Sequence, residues 1–201
     1  MISELKWSIL GIVAAAAMGV AAPGAQAAAF LISGPGAGNV DTNPATNVQL
    51  TSLIGGTITD LNVSVNITGD HMEDFDLFLT SPLGTVVQFR ADFLGVQAPS
   101  AHIDPPLDAT FDDEAFNPHD AQTLGGTGTF QAFSLLSAFD GQELLGNWTL
   151  SILDTLLPNE GDTLVSWSIS GTTTATVPEP STLALIGLAA LGFGAARRRA
   201  N

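Results

Sequence analysis

A strict alternation of apolar and polar residues is the feature that most constrains the fold of this chain. Every second residue from Leu61 to Thr68 is aliphatic, and the same period returns at residues 147–152 and 165–169. A period of two places successive side chains on opposite faces of a strand, so one face is buried and the other is solvated. Turn signals such as Asp140-Gly141 separate these runs, and no comparable helical period occurs between them. The pattern predicts an all-β domain of the sandwich type.

The N-terminus has the three parts of a secretory signal. Lys6 supplies a charge, Trp7 to Val20 form an apolar run, and Ala25-Gln26-Ala27 forms a small-residue cleavage site. We therefore assign residues 1–27 to a signal peptide with a helical core, and we expect the mature chain to begin near Ala28. A first transmembrane helix is the alternative, although the apolar run is short for one.

The C-terminus, residues 174–201, is also tripartite. Pro178-Glu179-Pro180 precedes an apolar stretch from Thr182 to Ala196, which is followed by Arg197, Arg198 and Arg199. As a helix this stretch would span about 22 Å at 1.5 Å per residue, short of the roughly 30 Å of a bilayer core. Because it is short, the helix would hold the chain in the inner membrane only weakly or temporarily. The arginines would stay in the cytoplasm under the positive-inside rule, which leaves the Pro-Glu-Pro segment outside.

This tail resembles the PEP-CTERM sorting signal of Gram-negative bacteria. The resemblance implies cleavage at the Pro-Glu-Pro segment by an exosortase-type enzyme, followed by transfer to the outer surface or the extracellular matrix. A permanent short membrane anchor is the alternative, because positive flanks are common in anchors.

The charge balance excludes one class of partner and favours one cofactor. The chain has 20 acidic and 5 basic residues, and Arg90 is the only basic residue outside the two ends. Such a surface repels nucleic acid and attracts cations. Cysteine is absent, so stability must come from apolar burial or from a bound metal, for which calcium is the expected ion.

Composition divides the segment between the ends into two parts. Residues 28–49 contain Gly34-Pro35-Gly36 and Asn43-Pro44, which predicts a flexible lead-in. The folded domain is expected to span residues 50–173. Within it, Ala98 to Leu124 is rich in proline and aspartate, so we expect a long loop and the most probable place for a binding site.

Several motifs occur in a fixed order across this domain. They are His71, Asp76-Leu77, Leu79-Thr80-Ser81-Pro82-Leu83-Gly84-Thr85, Phe111-Asp112-Asp113-Glu114-Ala115, Leu136, Phe139, Gly141, Gly146, Trp148-Thr149-Leu150, Asp154, Gly161, Leu164 and Trp167. These motifs resemble the P domain (P/Homo B domain) of proprotein convertases and subtilisin-like proteases, and the resemblance covers about Gly56 to Gly171. It implies a jelly-roll β-sandwich, in agreement with the alternation.

No residue is assigned a catalytic role. His71, His102 and His119 lack a nucleophile with a partnered base, and no recognised catalytic motif occurs. Carboxylates are concentrated at residues 70–76 and 112–114, and oxygen ligands of this kind suit calcium. We therefore predict Asp74, Asp76, Asp112 and Asp113 as calcium ligands, with a merely solvated acidic surface as the alternative.

These observations predict a non-catalytic exported protein. It would bind extracellular polysaccharide or a surface protein, with calcium as its cofactor. An accessory or regulatory partner of a separate subtilisin-like protease is one alternative. A carbohydrate hydrolase with a carboxylate pair is the other, although aromatic residues for a long sugar cleft are few.

Overall fold

The computed structural model describes residues 26–92, 105–118, 125–155 and 161–175. These residues lie in one compact unit, Ala25–Val177. Residues 1–25 of the predicted signal peptide, residues 176–201 of the predicted sorting tail, His102 and His119 fall outside the described residues. The adjoining residues 26–27 and 174–175 belong to strands of the domain. No helix within the described ranges is both long and apolar enough to cross a membrane.

The described part of the chain forms ten strands and two short 3-10 helices. The helices are Met72–Asp74 and Leu136–Phe139. The strands, numbered in chain order, are β1 (Gln26–Gly34), β2 (Ala37–Asn39), β3 (Thr46–Ser52), β4 (Thr57–Thr68), β5 (Phe75–Thr80), β6 (Val86–Arg90), β7 (Leu107–Phe111), β8 (Gly126–Phe130), β9 (Gly146–Asp154) and β10 (Thr163–Ala175).

The strands form two sheets. The larger one has the order β1-β10-β4-β7-β8, with β2 also pairing with β10, and the smaller one has the order β3-β9-β5-β6. The β7–β8 pair is parallel and every other described pair is antiparallel. The all-β class is confirmed, and the two sheets are consistent with a β-sandwich. The jelly-roll topology stays a prediction.

Apolar residues from both sheets form one hydrophobic core. The aliphatic residues of the β4 alternation are all buried, whereas the polar residues between them are partly exposed on the outer face. Trp148 and Trp167 are fully buried, and Trp148 packs edge to face on Phe139 with ring centroids 5.3 Å apart. Because the whole core lies within Ala25–Val177, this unit has what a domain needs to fold alone.

The prediction of a flexible lead-in at residues 28–49 was wrong. β1 pairs with β10 over nine positions, from Gln26↔Ala175 to Gly34↔Trp167, and β3 pairs with β9 from Thr46↔Ile152 to Ser52↔Gly146. The Gly-Pro-Gly run interrupts the edge of the sheet between β1 and β2, which pair with β10 one after the other in the same direction, so glycine and proline here punctuate strands. The described fold therefore includes strand residues from Gln26 onward, well before residue 50.

Candidate functional site: two groups of carboxylates

An acidic cavity of about 380 Å³ lies where β4 meets the turn after β7 and the second 3-10 helix. We call it the acidic cavity; its lining residues are Thr59, Asp60, Leu61, Asn62, Asp112, Asp113, Glu114, Ser137 and Asp140. The predicted ligands Asp112 and Asp113 are thus brought together, and they are joined by carboxylates from β4 and from the end of the helix.

Backbone hydrogen bonds hold the two predicted ligands in place. Asp112 Oδ1 accepts the Glu114 N–H at 2.8 Å. Asp113 Oδ1 and Oδ2 accept the N–H groups of Leu136 and Ser137, each at 2.9 Å. These last two N–H groups open the 3-10 helix Leu136–Phe139, so Asp113 joins the β7 turn to that helix.

Burial and mutual repulsion in the acidic cavity disfavour full ionisation. Burial raises the pKa of Asp60, and the nearby Asp112, Asp140 and Asp113 raise it further. Burial and Asp113 likewise raise the pKa of Asp140. A side-chain hydrogen bond with Asp112 is the main cause of the raised pKa of Glu114. A bound cation would relieve this repulsion.

Asn62 adds an uncharged oxygen to the lining. Its Oδ1 atom is buried and has no hydrogen-bond partner among the described residues. Amide oxygens are ordinary calcium ligands, so the lining fits a hard cation in its chemistry as well as in its charge.

A second group of carboxylates is almost fully buried. We call Asp41, Asp154 and Asp162 the buried triad; they are 3%, 6% and 1% exposed. One carboxylate oxygen from each lies within 4.8 Å of the others. Calcium binds oxygens at about 2.3–2.6 Å, so ligands across the ion are about 5 Å apart. The spacing of the triad fits that geometry.

Several distant segments converge at the buried triad. Asp41 follows β2, Asp154 ends β9, and Asp162 immediately precedes β10. The Val40 N–H donates to the Asp162 carbonyl at 2.9 Å, and the Asp70 N–H donates to Asp162 Oδ1 at 2.8 Å. Gly69 is the residue that permits this approach, because a Cβ there would overlap the Asp162 carboxylate.

The other two predicted ligands lie in a different environment. Asp74 ends the first 3-10 helix, and Asp76 lies on β5, where its Oδ1 accepts from Gln88 Nε2 at 2.8 Å and from the Asp92 N–H at 2.7 Å. Arg90 is 1% exposed, and burial lowers its pKa to about 10, although Asp76, Glu73, Asp74 and Asp92 act to raise it. A guanidinium therefore already supplies positive charge to this group.

Sequence reasoning missed the buried triad, Asp60 and Asp140. One signal was available for Asp154: it continues the series Trp148, Leu150, Ile152, whose members all face the core. An acid at a position where the alternation requires an apolar residue needs a charge partner or a proton. Asp41 was overlooked because it fell in the supposed lead-in.

The described histidine, His71, lies beside a carboxylate two residues along the chain. His71 has a left-handed backbone with φ 54°, and its Nδ1 lies 3.4 Å from Glu73 Oε1. This contact matches a local ion pair, and within the described ranges it involves no serine or threonine nucleophile. The prediction of no catalytic residue remains a prediction.

Two family models match the chain. The proprotein convertase P-domain matches residues 58–170, and the PEP-CTERM protein-sorting motif matches residues 176–199. The P domain is a non-catalytic accessory domain of proteases, and the sorting motif points to export and surface sorting in Gram-negative bacteria through an exosortase-type system. No curated protein matches the chain.

Two solved structures are similar to part of this chain. The serine protease of Aeromonas sobria in complex with its chaperone ORF2 is 16% identical, with a TM-score of 0.46, and the match covers 73% of this chain and 28% of the protease. A second structure, of the serine protease of Aeromonas sobria, gives 17% identity, a TM-score of 0.44, and coverage of 72% of this chain and 27% of that chain. The chain thus spans little more than a quarter of these proteases. Because the P-domain model matches more than half of its length, this chain belongs to the proprotein convertase P-domain family.

Proposed function

We propose that this chain is an exported, non-catalytic P-domain protein that acts by binding at the cell surface or in the extracellular matrix, and that calcium holds its domain together. The observation that carries the proposal is the convergence of three buried carboxylate oxygens within 4.8 Å. The sorting motif supports the location. The jelly-roll form of the sandwich is part of the proposal.

Calcium suits the buried triad for two reasons. Three ionised carboxylates this close repel one another strongly in a medium of low dielectric constant, and a divalent cation reverses that repulsion. The ion would also tie together the ends of β2 and β9 and the start of β10, which lie far apart in sequence. Asp41, Asp154 and Asp162 would hold the ion, and the ion would supply a structural cross-link.

The acidic cavity is a second, more open position for calcium. Asp112 and Asp113 keep the role predicted for them there, with Asp60, Asp140 and Asn62 as additional oxygen donors. Asp74 and Asp76 are weaker candidates, because their oxygens lie near Arg90 and, for Asp76, already accept two hydrogen bonds.

Thermal unfolding of residues 25–177 with calcium or a chelator tests the proposal. An ion that binds only the folded state, at a free concentration 100 times its Kd, adds about 2.7 kcal/mol to the free energy of unfolding. This raises the Tm by about 5–10 °C for a domain of this size. Asp154→Asn should remove most of this shift, whereas Asp108→Asn, which removes one exposed charge elsewhere, should keep it. If Asp154→Asn fails to fold, Asp41→Asn replaces it as the variant that tests the buried triad.

Calcium titration by calorimetry on the same variants provides an independent readout. Loss of one tight site in Asp41→Asn or Asp154→Asn, with normal binding in Asp108→Asn, supports the buried triad. An unchanged Tm at millimolar calcium in the unaltered domain would overturn the calcium proposal.

An accessory role toward a separate subtilisin-like protease is the second candidate, and the family match favours it because P domains accompany proteases. Co-purification of a protease with the tagged chain from its own envelope would support this role. Release of reducing sugar from matrix polysaccharide would instead indicate the less favoured hydrolase role.

A further inference from the structure

The outer face of the larger sheet carries a second cavity, of about 120 Å³, whose lining residues are rich in serine and hardly charged. We call it the serine cavity; its lining residues are Ser33, Ser64, Val65, Asn66, Asp108, Ser166, Trp167 and Ser168. Asp108 is its one ionisable group. The cavity is separate from the buried triad and shares no residue with the acidic cavity.

Strand register explains why hydroxyl groups gather there. Ser64 of β4 lies opposite Ser168 of β10 and Thr110 of β7, and Ser168 lies opposite Ser33 of β1. With strands about 4.8 Å apart, these four residues form a row of hydroxyls about 14 Å long across the sheet. The next row contains Ser166, Asn66 and Asp108.

Most of this hydrogen-bonding capacity is unused within the protein. Ser64 and Thr110 share a hydrogen bond of 2.8 Å, but the structure gives none to the side chains of Ser33, Ser166 and Ser168 within the described residues. Asn66 Oδ1 is buried and lacks a partner in the same part of the chain. Asn66 lines the cavity, and its terminal torsion is soft, so the amide can adjust to a ligand there.

The chemistry of the lining selects its ligand. A hydroxyl of a ligand both donates and accepts hydrogen bonds, and a row of serines beside an amide can do both in return. Arg90, the only basic residue between the two ends, is buried and donates to the carbonyls of Met72 and Phe75. No guanidinium or ammonium group therefore faces the cavity from the described residues, and an acidic polymer would meet only repulsion.

We infer that this face binds an uncharged, hydroxyl-rich polysaccharide chain, which lies across β1, β10, β4 and β7 and places one sugar in the serine cavity. The inference deepens the proposed function and rests on it, since it takes the protein to act by binding. Asp108 and Asn66 accept hydrogen bonds from the sugar hydroxyls, and the serines complete the contacts. Exposed Leu31, two residues from Ser33 on the same face, offers an apolar surface to a sugar ring.

Affinity electrophoresis of residues 25–177 tests the inference, with dextran, mannan, hydroxyethyl cellulose or alginate cast in the gel. Migration should slow in at least one of the three neutral polymers and stay unchanged in alginate. Asn66→Ala should weaken binding about three- to tenfold, the effect of one neutral hydrogen bond. Ser166→Phe, at an exposed position, should abolish binding by filling the cavity.

Gln49→Ala is the matched control, because Gln49 is an exposed polar residue on β3 of the other sheet. It should bind like the unaltered domain, and every variant should keep its calcium-dependent Tm. The inference would be overturned by unchanged migration in all three neutral polymers or by slowing in alginate alone. It would also be overturned if Ser166→Phe were slowed as much as the unaltered domain. If the calcium shift persists in those cases, the calcium proposal stands by itself.

Discussion

Asp60 shows how a single carboxylate can weaken the fold when no cation is present. Burial and three neighbouring aspartates raise its pKa, so its ionised form is disfavoured in the folded chain. Asp60→Asn removes that repulsion while keeping the shape of the side chain. We expect it to raise the Tm in chelator slightly, because solvent screens much of the repulsion at this partly exposed group, and to reduce calcium binding at the acidic cavity.

The control for Asp60→Asn is Asp108→Asn, which makes the same change in net charge outside the acidic cavity. Its Tm in chelator should change less. Equal increases of the Tm in the two variants would show that the gain reflects net charge alone. Repulsion within the acidic cavity would then not be its cause.

At the scale of the strands, Gly34 fixes the position of β1 against β10. Gly34 lies opposite Trp167, and a Cβ on Gly34 would run into the buried indole ring. Overpacking of this kind costs about 1–3 kcal/mol, so Gly34→Ala should lower the Tm by several degrees. Gly38→Ala, where a Cβ would meet no atom within 4 Å, should leave the Tm nearly unchanged.

This comparison also tests whether β1 belongs to the folded domain. If residues 28–49 were a flexible lead-in, both alanine variants would melt like the unaltered domain. A clear difference between them requires β1 to be packed in the register seen here.

Alternation predicted β4, β9 and β10 because their apolar faces are continuous, but it could not predict β1. Ala27, Ala28 and Ala29 show no apolar-polar contrast, and β1 forms because β10 offers it a long edge.

Among the site residues, Asp112 and Asp113 could be predicted because they are adjacent in sequence. The buried triad could not be found that way, since only the fold brings Asp41, Asp154 and Asp162 together.

For the molecule as a whole, the excess of carboxylates determines how stability depends on pH. The formal net charge is −15, and the folded chain raises the pKa values of Asp60, Asp76, Asp140 and Glu114. A carboxyl with a raised pKa binds its proton more tightly when folded. Its contribution to stability is therefore complete below its ordinary pKa of 3.8 for aspartate and is lost as the pH rises through the raised value.

In chelator we therefore expect the Tm of residues 25–177 to rise as the pH falls through the raised carboxyl pKa values toward the ordinary ones. Calcium competes with protons for the same oxygens, so it should raise the Tm most at pH 7 and progressively less toward pH 5. Scanning calorimetry at pH 7, 6 and 5, with calcium and with chelator, measures both trends. A Tm in chelator that falls steadily over this range would mean that carboxylates favoured in their ionised form dominate, and the repulsion argument for calcium would fail with it.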